Sequence, residues 1–240
     1  MVRAMISRFR GRTIRSLSFT DANVRIEIQN TISIFAHMLK KGWWFIPLLY
    51  LSAVWVLFML QPSLNLVRDF GLYPRDTAHL TGIITTPFLH SNLEHISANT
   101  ISLGICLFCL YYFYMDIANS VLLVTHIFTG LLIWLFARPA FHIGASGVVY
   151  GLELFLLISG FIRRNRQLKI LALTVLSLQT GLVWGILPQD SDISWESHLF
   201  GALTGTALAI IFRHKGPRPD PENNWQGDDG DEDEYGQFSA

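Results

Sequence analysis

The chain has 240 residues, of which 51% are hydrophobic and only 15% charged, and its formal net charge is zero. A soluble domain usually carries about 25% charged residues, and here long stretches carry none while the charges crowd into both ends and a few short loops. That distribution excludes an ordinary water-soluble domain and points to a membrane protein.

The chain opens with a basic arm. Residues 1–41 hold six Arg and two Lys against Asp21 and Glu27, a sum of +6 that suits an anionic lipid surface. The few aromatic residues among these charges do not make a stacking platform, so a nucleic-acid partner is not expected. A secretory signal fits poorly, because no apolar run follows the arginines until near Trp43. Ile28, Ile32, Phe35 and Leu39 recur at helical spacing, which predicts an amphipathic helix over 23–40, capped by Thr20 or Asp21 and lying on the inner surface.

Six apolar segments then follow, approaching the roughly 20 residues a spanning helix needs. They run Trp43–Leu60, Ile96–Tyr114, Ile117–Phe136, Ser146–Ile162, Leu168–Leu187 and Ser197–Phe212. The fold class expected is therefore all-α, a polytopic six-transmembrane-helix bundle. The fourth and sixth segments are short and rich in Gly, Ser and Ala, and belong inside the bundle, where small residues permit close backbone approach. Cys106 and Cys109, the only cysteines, lie one turn apart within the second segment and read as reduced packing residues.

Loop charges set the orientation. Arg163, Arg164, Arg166 and Lys169 follow the fourth segment, and Arg213 and Lys215 follow the sixth, whereas Asp190, Asp192 and Glu196 stand between the fifth and sixth. With the basic arm, these place both termini in the cytoplasm. The expected domains are the arm (1–41), the bundle (42–213) and an acidic tail (214–240) rich in Pro, Asp, Glu and Gly, expected to be disordered.

That topology gathers polar residues at one depth. His95 and Asn99 open the second span, Ser146 the fourth and His198 the sixth, all toward the outer face. Polar groups in spans are costly and are functional candidates. Gly147 and Gly151 on the fourth span, and Gly201 and Gly205 on the sixth, have the small-xxx-small spacing that brings helices together, so Ser146 and His198 come into hydrogen-bond reach. An imidazole that takes the hydroxyl proton would make the serine a nucleophile. The Ser146 N–H at a helix start, with His95 and Asn99 donating from a neighbouring helix, would hold the resulting oxyanion. No Asp within the spans offers itself as a third member, so the expectation is a Ser–His dyad.

The motifs here resemble one family. Gly144-Ala145-Ser146-Gly147 is similar to the GxSG motif of the rhomboid proteases, His95 to Asn99 to their HxxxN motif, and His198 with Gly201 and Gly205 to their HxxGxxxG helix. Thr86-Pro87-Phe88-Leu89-His90 and Val148-Val149-Tyr150 add to the likeness, which covers about residues 42–213. The resemblance implies a rhomboid-type bundle acting as an intramembrane serine endopeptidase on transmembrane proteins within the lipid bilayer. It implies Ser146 as nucleophile, His198 as base, His95 and Asn99 as oxyanion stabilisers, and Tyr150 as a ring packed on the imidazole. No cofactor and no metal are implied, and His90 and His95 lack a zincin Glu. The alternative is an inactive rhomboid-like protein that binds membrane clients, although such a protein should lack the serine or the histidine. One departure is the first outer loop, which has no Trp-Arg pair; Arg75 is the nearest substitute.

Further residues bear on the site. Glu153 lies seven residues after Ser146, on nearly the same helical face and about 10 Å deeper; a buried structural hydrogen bond is favoured over a water-retaining role. Trp184 ends the fifth span, as an interfacial anchor or, by the family likeness, part of a lateral gate. His90 and His126 read as structural. The oligomeric state is not legible.

Overall fold

A computed structural model describes residues 42, 44–178, 185–188 and 194–217. The basic arm with its expected amphipathic helix, Trp184 and the acidic tail beyond Pro217 lie outside the described residues. The described chain is all-helical, apart from one isolated antiparallel bridge between Leu72 and His142.

Helix α1 spans Phe45–Leu64. It ends at Asn65, whose φ of 50° is left-handed, a conformation Asn tolerates better than most residues. A short α2 follows over Leu66–Phe70, then single 3₁₀ turns at Thr77–His79 and Thr86–Phe88 flanking α3, Gly82–Thr85. The longer helices are α4 (Leu93–Phe113), α5 (Ala118–Phe136), α6 (Ser146–Ile162), α7 (Arg166–Leu178) and α8 (Trp195–Ile211).

By length and composition, α4 and α5 can each cross a membrane, while α6 and the Phe45–Gln61 stretch of α1 are apolar but shorter. Helix α7 is described over 13 residues, short of the expected segment, whose residues 179–184 lie outside the described set. Large apolar side chains point away from the bundle, among them Met59, Ile101, Leu123 and Ile211, each more than three-fifths exposed. A surface so rich in such residues suits hydrocarbon and not water.

Helix α6 occupies the centre. A Cβ added to Gly201 would stand 2.0 Å from the Gly147 carbonyl oxygen, and one on Gly205 would stand 1.9 Å from that of Gly151. Helices α6 and α8 therefore meet backbone to backbone, as the glycine spacing predicts. Thr125 of α5 closes the other flank, with its methyl 2.3 Å from a Cβ placed on Gly151. The main core joins Leu103, Leu107 and Leu110 of α4 to Leu152, Phe155 and Leu156 of α6.

Two arginines finish the frame. The Arg75 N–H donates to Trp134 O, and its guanidinium donates to Leu135 O and Ala137 O at 3.3 and 2.9 Å. A cation thus satisfies carbonyls that the end of α5 leaves without helical donors, and the loop after α2 is tied to the bundle. At the opposite end, Arg163 donates to the carbonyls of Arg213, Gly216 and Pro217, and Gly216 (φ 94°) packs on the Tyr114 ring. The described backbone therefore continues beyond α8, and Arg163 fastens the segment that leads into the tail.

Candidate active site

Three helix starts converge at one end of the bundle. Asn92 caps α4, its Oδ1 accepting from His95 N at 2.8 Å. Ser194 caps α8, its side chain accepting from Ser197 N. Helix α6 starts at Ser146 with no side-chain cap on Ala145, so its first N–H groups have no acceptor within the helix and present positive dipole ends.

Ser146 Oγ lies 2.9 Å from His198 Nε2. The other ring nitrogen, Nδ1, is 2.9 Å from the Gly185 carbonyl oxygen. A carbonyl can only accept, so Nδ1 carries the proton and, in the neutral ring, Nε2 presents its lone pair to the Ser146 hydroxyl. A backbone carbonyl thereby orients the imidazole without a carboxylate. The Tyr150 ring stacks on His198, with centroids 4.2 Å apart and planes 3° from parallel. This arrangement can take a proton from a serine hydroxyl and return it.

Opposite the serine, Gly144 adopts φ 110°, and a Cβ there would meet the His95 ring at 2.8 and 2.9 Å and Asn99 Nδ2 at 3.8 Å. A positive φ and this contact both require glycine. The motif residues His95, Asn99, Gly144, Ser146, Tyr150 and His198 are thus brought together. Ser91 Oγ lies 3.2 Å from His95 Nδ1; a hydroxyl donated there leaves the proton on Nε2, the nitrogen nearest Gly144.

His90 is fully buried. Its backbone pairs twice with the Gln61 side chain, at 3.1 and 2.7 Å, and its Nε2 accepts from Ala145 N at 3.4 Å. Burial first, and then the neighbouring His95, pushes the His90 pKa down to about 4. A neutral ring is what a ring nitrogen accepting from a backbone N–H requires. His126 bridges Tyr50 Oη at 2.9 Å and Ile84 O at 2.8 Å, a structural role. Glu153 is buried deeper in α6, within electrostatic range of Tyr150 and Cys106.

Several contributors carry no motif. Gly185 supplies both a carbonyl and a gap: a Cβ there would stand 1.9 Å from Tyr150 Oη. Arg138 pairs with the buried Glu196 at 3.4 Å, and His142 joins the loop before Ser146 to Ser194. Only the i, i+3 relation of Ser194 and Ser197 before His198 could have signalled a cap.

The fold and site define a helical membrane protein with a serine–histidine pair at converging helix ends. Residues 77–215 match the rhomboid domain family. An uncharacterized protein of Mycobacterium tuberculosis is 33% identical over 151 residues, covering 59% of this chain and 63% of its own. An uncharacterized protein of Mycobacterium leprae is 32% identical over 178 residues, covering 70% and 68%. A protein of Acanthamoeba polyphaga mimivirus, named as a rhomboid, is 29% identical over 140 residues, covering 52% and 71%. The chain spans less than two thirds of the M. tuberculosis relative's length. The chain belongs to the rhomboid family.

Proposed function

We propose that this protein is an intramembrane serine endopeptidase that cleaves transmembrane or juxtamembrane segments of other membrane proteins. The observation that carries the reading is the 2.9 Å approach of Ser146 Oγ to His198 Nε2, with Nδ1 on the Gly185 carbonyl. In the reaction, Ser146 Oγ attacks the scissile carbonyl carbon while its proton passes to His198 Nε2. The oxyanion forms toward the Ser146 N–H, the His95 Nε2–H and the Asn99 amide, fixed donors of the kind that stabilise developing charge. Collapse expels the amine with the proton from His198. Water then attacks the acyl carbon as His198 Nε2 takes its proton; the bond from that carbon to Ser146 Oγ breaks, and the proton returns from Nε2 to Oγ. Tyr150 holds the ring in plane throughout.

On this reading the chain crosses the membrane six times, with both termini cytoplasmic and the site near the outer leaflet. The asymmetry of basic loops supports it, with Arg163, Arg164, Arg166, Lys169, Arg213 and Lys215 at the end opposite Ser146. The test is incubation of purified protein with a single-span substrate in proteoliposomes, comparing wild type with Ser146→Ala and His198→Ala. Cleavage by wild type alone is expected. Equal cleavage by all three would overturn the reading, and binding without cleavage by a folded wild type would favour a client-binding role.

A further inference from the structure

Four residues before Ser146 stands His142, and four residues before His198 stands Ser194. His142 Nδ1 lies 2.5 Å from Ser194 Oγ. The same two chain segments that meet at Ser146 and His198 are therefore joined a second time, by a pair at the same sequence separation of 52 residues.

The direction of this second bond follows from its ends. His142 Nε2 is 3.1 Å from Arg138 O, and a carbonyl only accepts, so Nε2 carries the proton. Burial holds the His142 pKa below the ordinary histidine range, which favours the neutral ring, and Nδ1 then accepts from the Ser194 hydroxyl. With its proton committed, Ser194 Oγ is free to accept from the Ser197 hydroxyl at 2.5 Å and from the Ser197 N–H at 3.4 Å. Those two bonds fix the first turn of α8, and Ser197 in turn packs on Gly147, beside the nucleophile.

The backbone of His142 is as firmly held. Its N–H donates to Leu72 O at 2.8 Å, and its carbonyl accepts from Thr86 Oγ1 at 2.5 Å and Leu72 N at 3.3 Å. Gly144 N donates to Thr86 O at 3.0 Å. Among the described residues, the charged groups facing the ring are Arg138 on its own loop and Glu196 on α8, which pair with each other; the packed segment supplies Leu72 and Thr86, which carry no charge.

The geometry points to His142 as a positioning residue that, through Ser194, sets the start of α8 so that His198 Nε2 meets Ser146 Oγ. This rests on the peptidase reading. His142 touches no reacting atom; it fixes the distance between the two segments that carry them. Positional errors near 1 Å can cost about 10²-fold in rate, so the His142–Ser194 bond should appear in kcat.

The experiment is a double-mutant cycle on the full chain in detergent micelles with a single-span substrate, using His142→Ala, Ser194→Ala and the pair, with Ser194→Thr as the variant that keeps the hydroxyl. Each single alanine variant is expected to lower kcat roughly 10- to 100-fold with KM within about twofold, the double to be no worse than either, and Ser194→Thr to recover most of the loss. Additive losses, or folded single variants with wild-type kcat, would overturn the proposal. If His142→Ala fails to fold, Ser194→Ala against Ser194→Thr decides alone: equal kcat in folded protein would sink it. Wild-type protein that neither cleaves nor reacts at Ser146 with a fluorophosphonate would instead refute the peptidase reading.

Discussion

Gly201→Ala places a methyl group against the α6 backbone and so tests whether the helix contact sets the catalytic distance. In the wild type, the added Cβ would lie 2.0 Å from the Gly147 carbonyl oxygen, inside the 3.0 Å that real Cβ contacts essentially never cross. The neighbour is backbone, so α8 must withdraw by roughly 1 Å. His198 stands three residues before Gly201 and Ser146 directly before Gly147, so the retreat acts on the 2.9 Å contact. It would open to nearly 4 Å, beyond hydrogen-bond range. The expected result is a loss of roughly 10²-fold in kcat/KM with about 1–3 kcal/mol of lost stability. Both are read from cleavage of a single-span substrate and from thermal unfolding in the same detergent. Leu203→Ala, on the outward side of α8 and half exposed, serves as control and should stay within twofold. Wild-type kcat/KM and an unchanged Tm for Gly201→Ala would refute the coupling of helix contact to chemistry.

Other variants separate the remaining parts of the site. Gly144→Ala should abolish most turnover, because the residue has a positive φ and its Cβ would strike the His95 ring; substrate retention on an immobilised variant checks that binding survives. Ser91→Ala should lower kcat by roughly two- to tenfold with KM unchanged, the loss of one hydrogen bond that orients His95. For His90, the folded pKa of about 4 lies below the ordinary 6.5. The unfolded chain therefore binds the proton first, and stability falls as pH drops from about 6.5 to 4, by about 3 kcal/mol in all. His90→Gln should flatten that part of the stability-versus-pH curve, measured by SDS-induced unfolding. Arg138→Ala should cost about 1–3 kcal/mol by leaving the buried Glu196 side chain without its partner, and Glu196→Gln in the same chain should restore part of it.

What was legible in the sequence is what helical spacing encodes. Gly147, Gly151, Gly201 and Gly205 state the α6–α8 contact directly, because a residue interval of four fixes one face of a helix. Ser146 begins its helix where the apolar run begins. The i, i+4 spacing of His95 and Asn99 likewise put both on the face that meets Gly144. Loop contributions were not legible. Gly185 and His142 act through one carbonyl and one ring nitrogen, and their partners are 13 and 52 residues away, so no local period marks them. The bonds of Arg75 to the end of α5 depend on how the loop after α2 folds back, which no spacing records. Glu196 reads in the sequence as one loop charge like Asp190 and Asp192, yet it is buried against Arg138, which composition alone does not reveal.

The most direct measurement of the central claim is covalent labelling of the intact protein with a fluorophosphonate, followed by mass mapping of the modified residue. The account predicts one adduct, on Ser146, lost in His198→Ala while Tm shows the variant folded. An adduct on another serine, or equal labelling of Ser146 without His198, would contradict it.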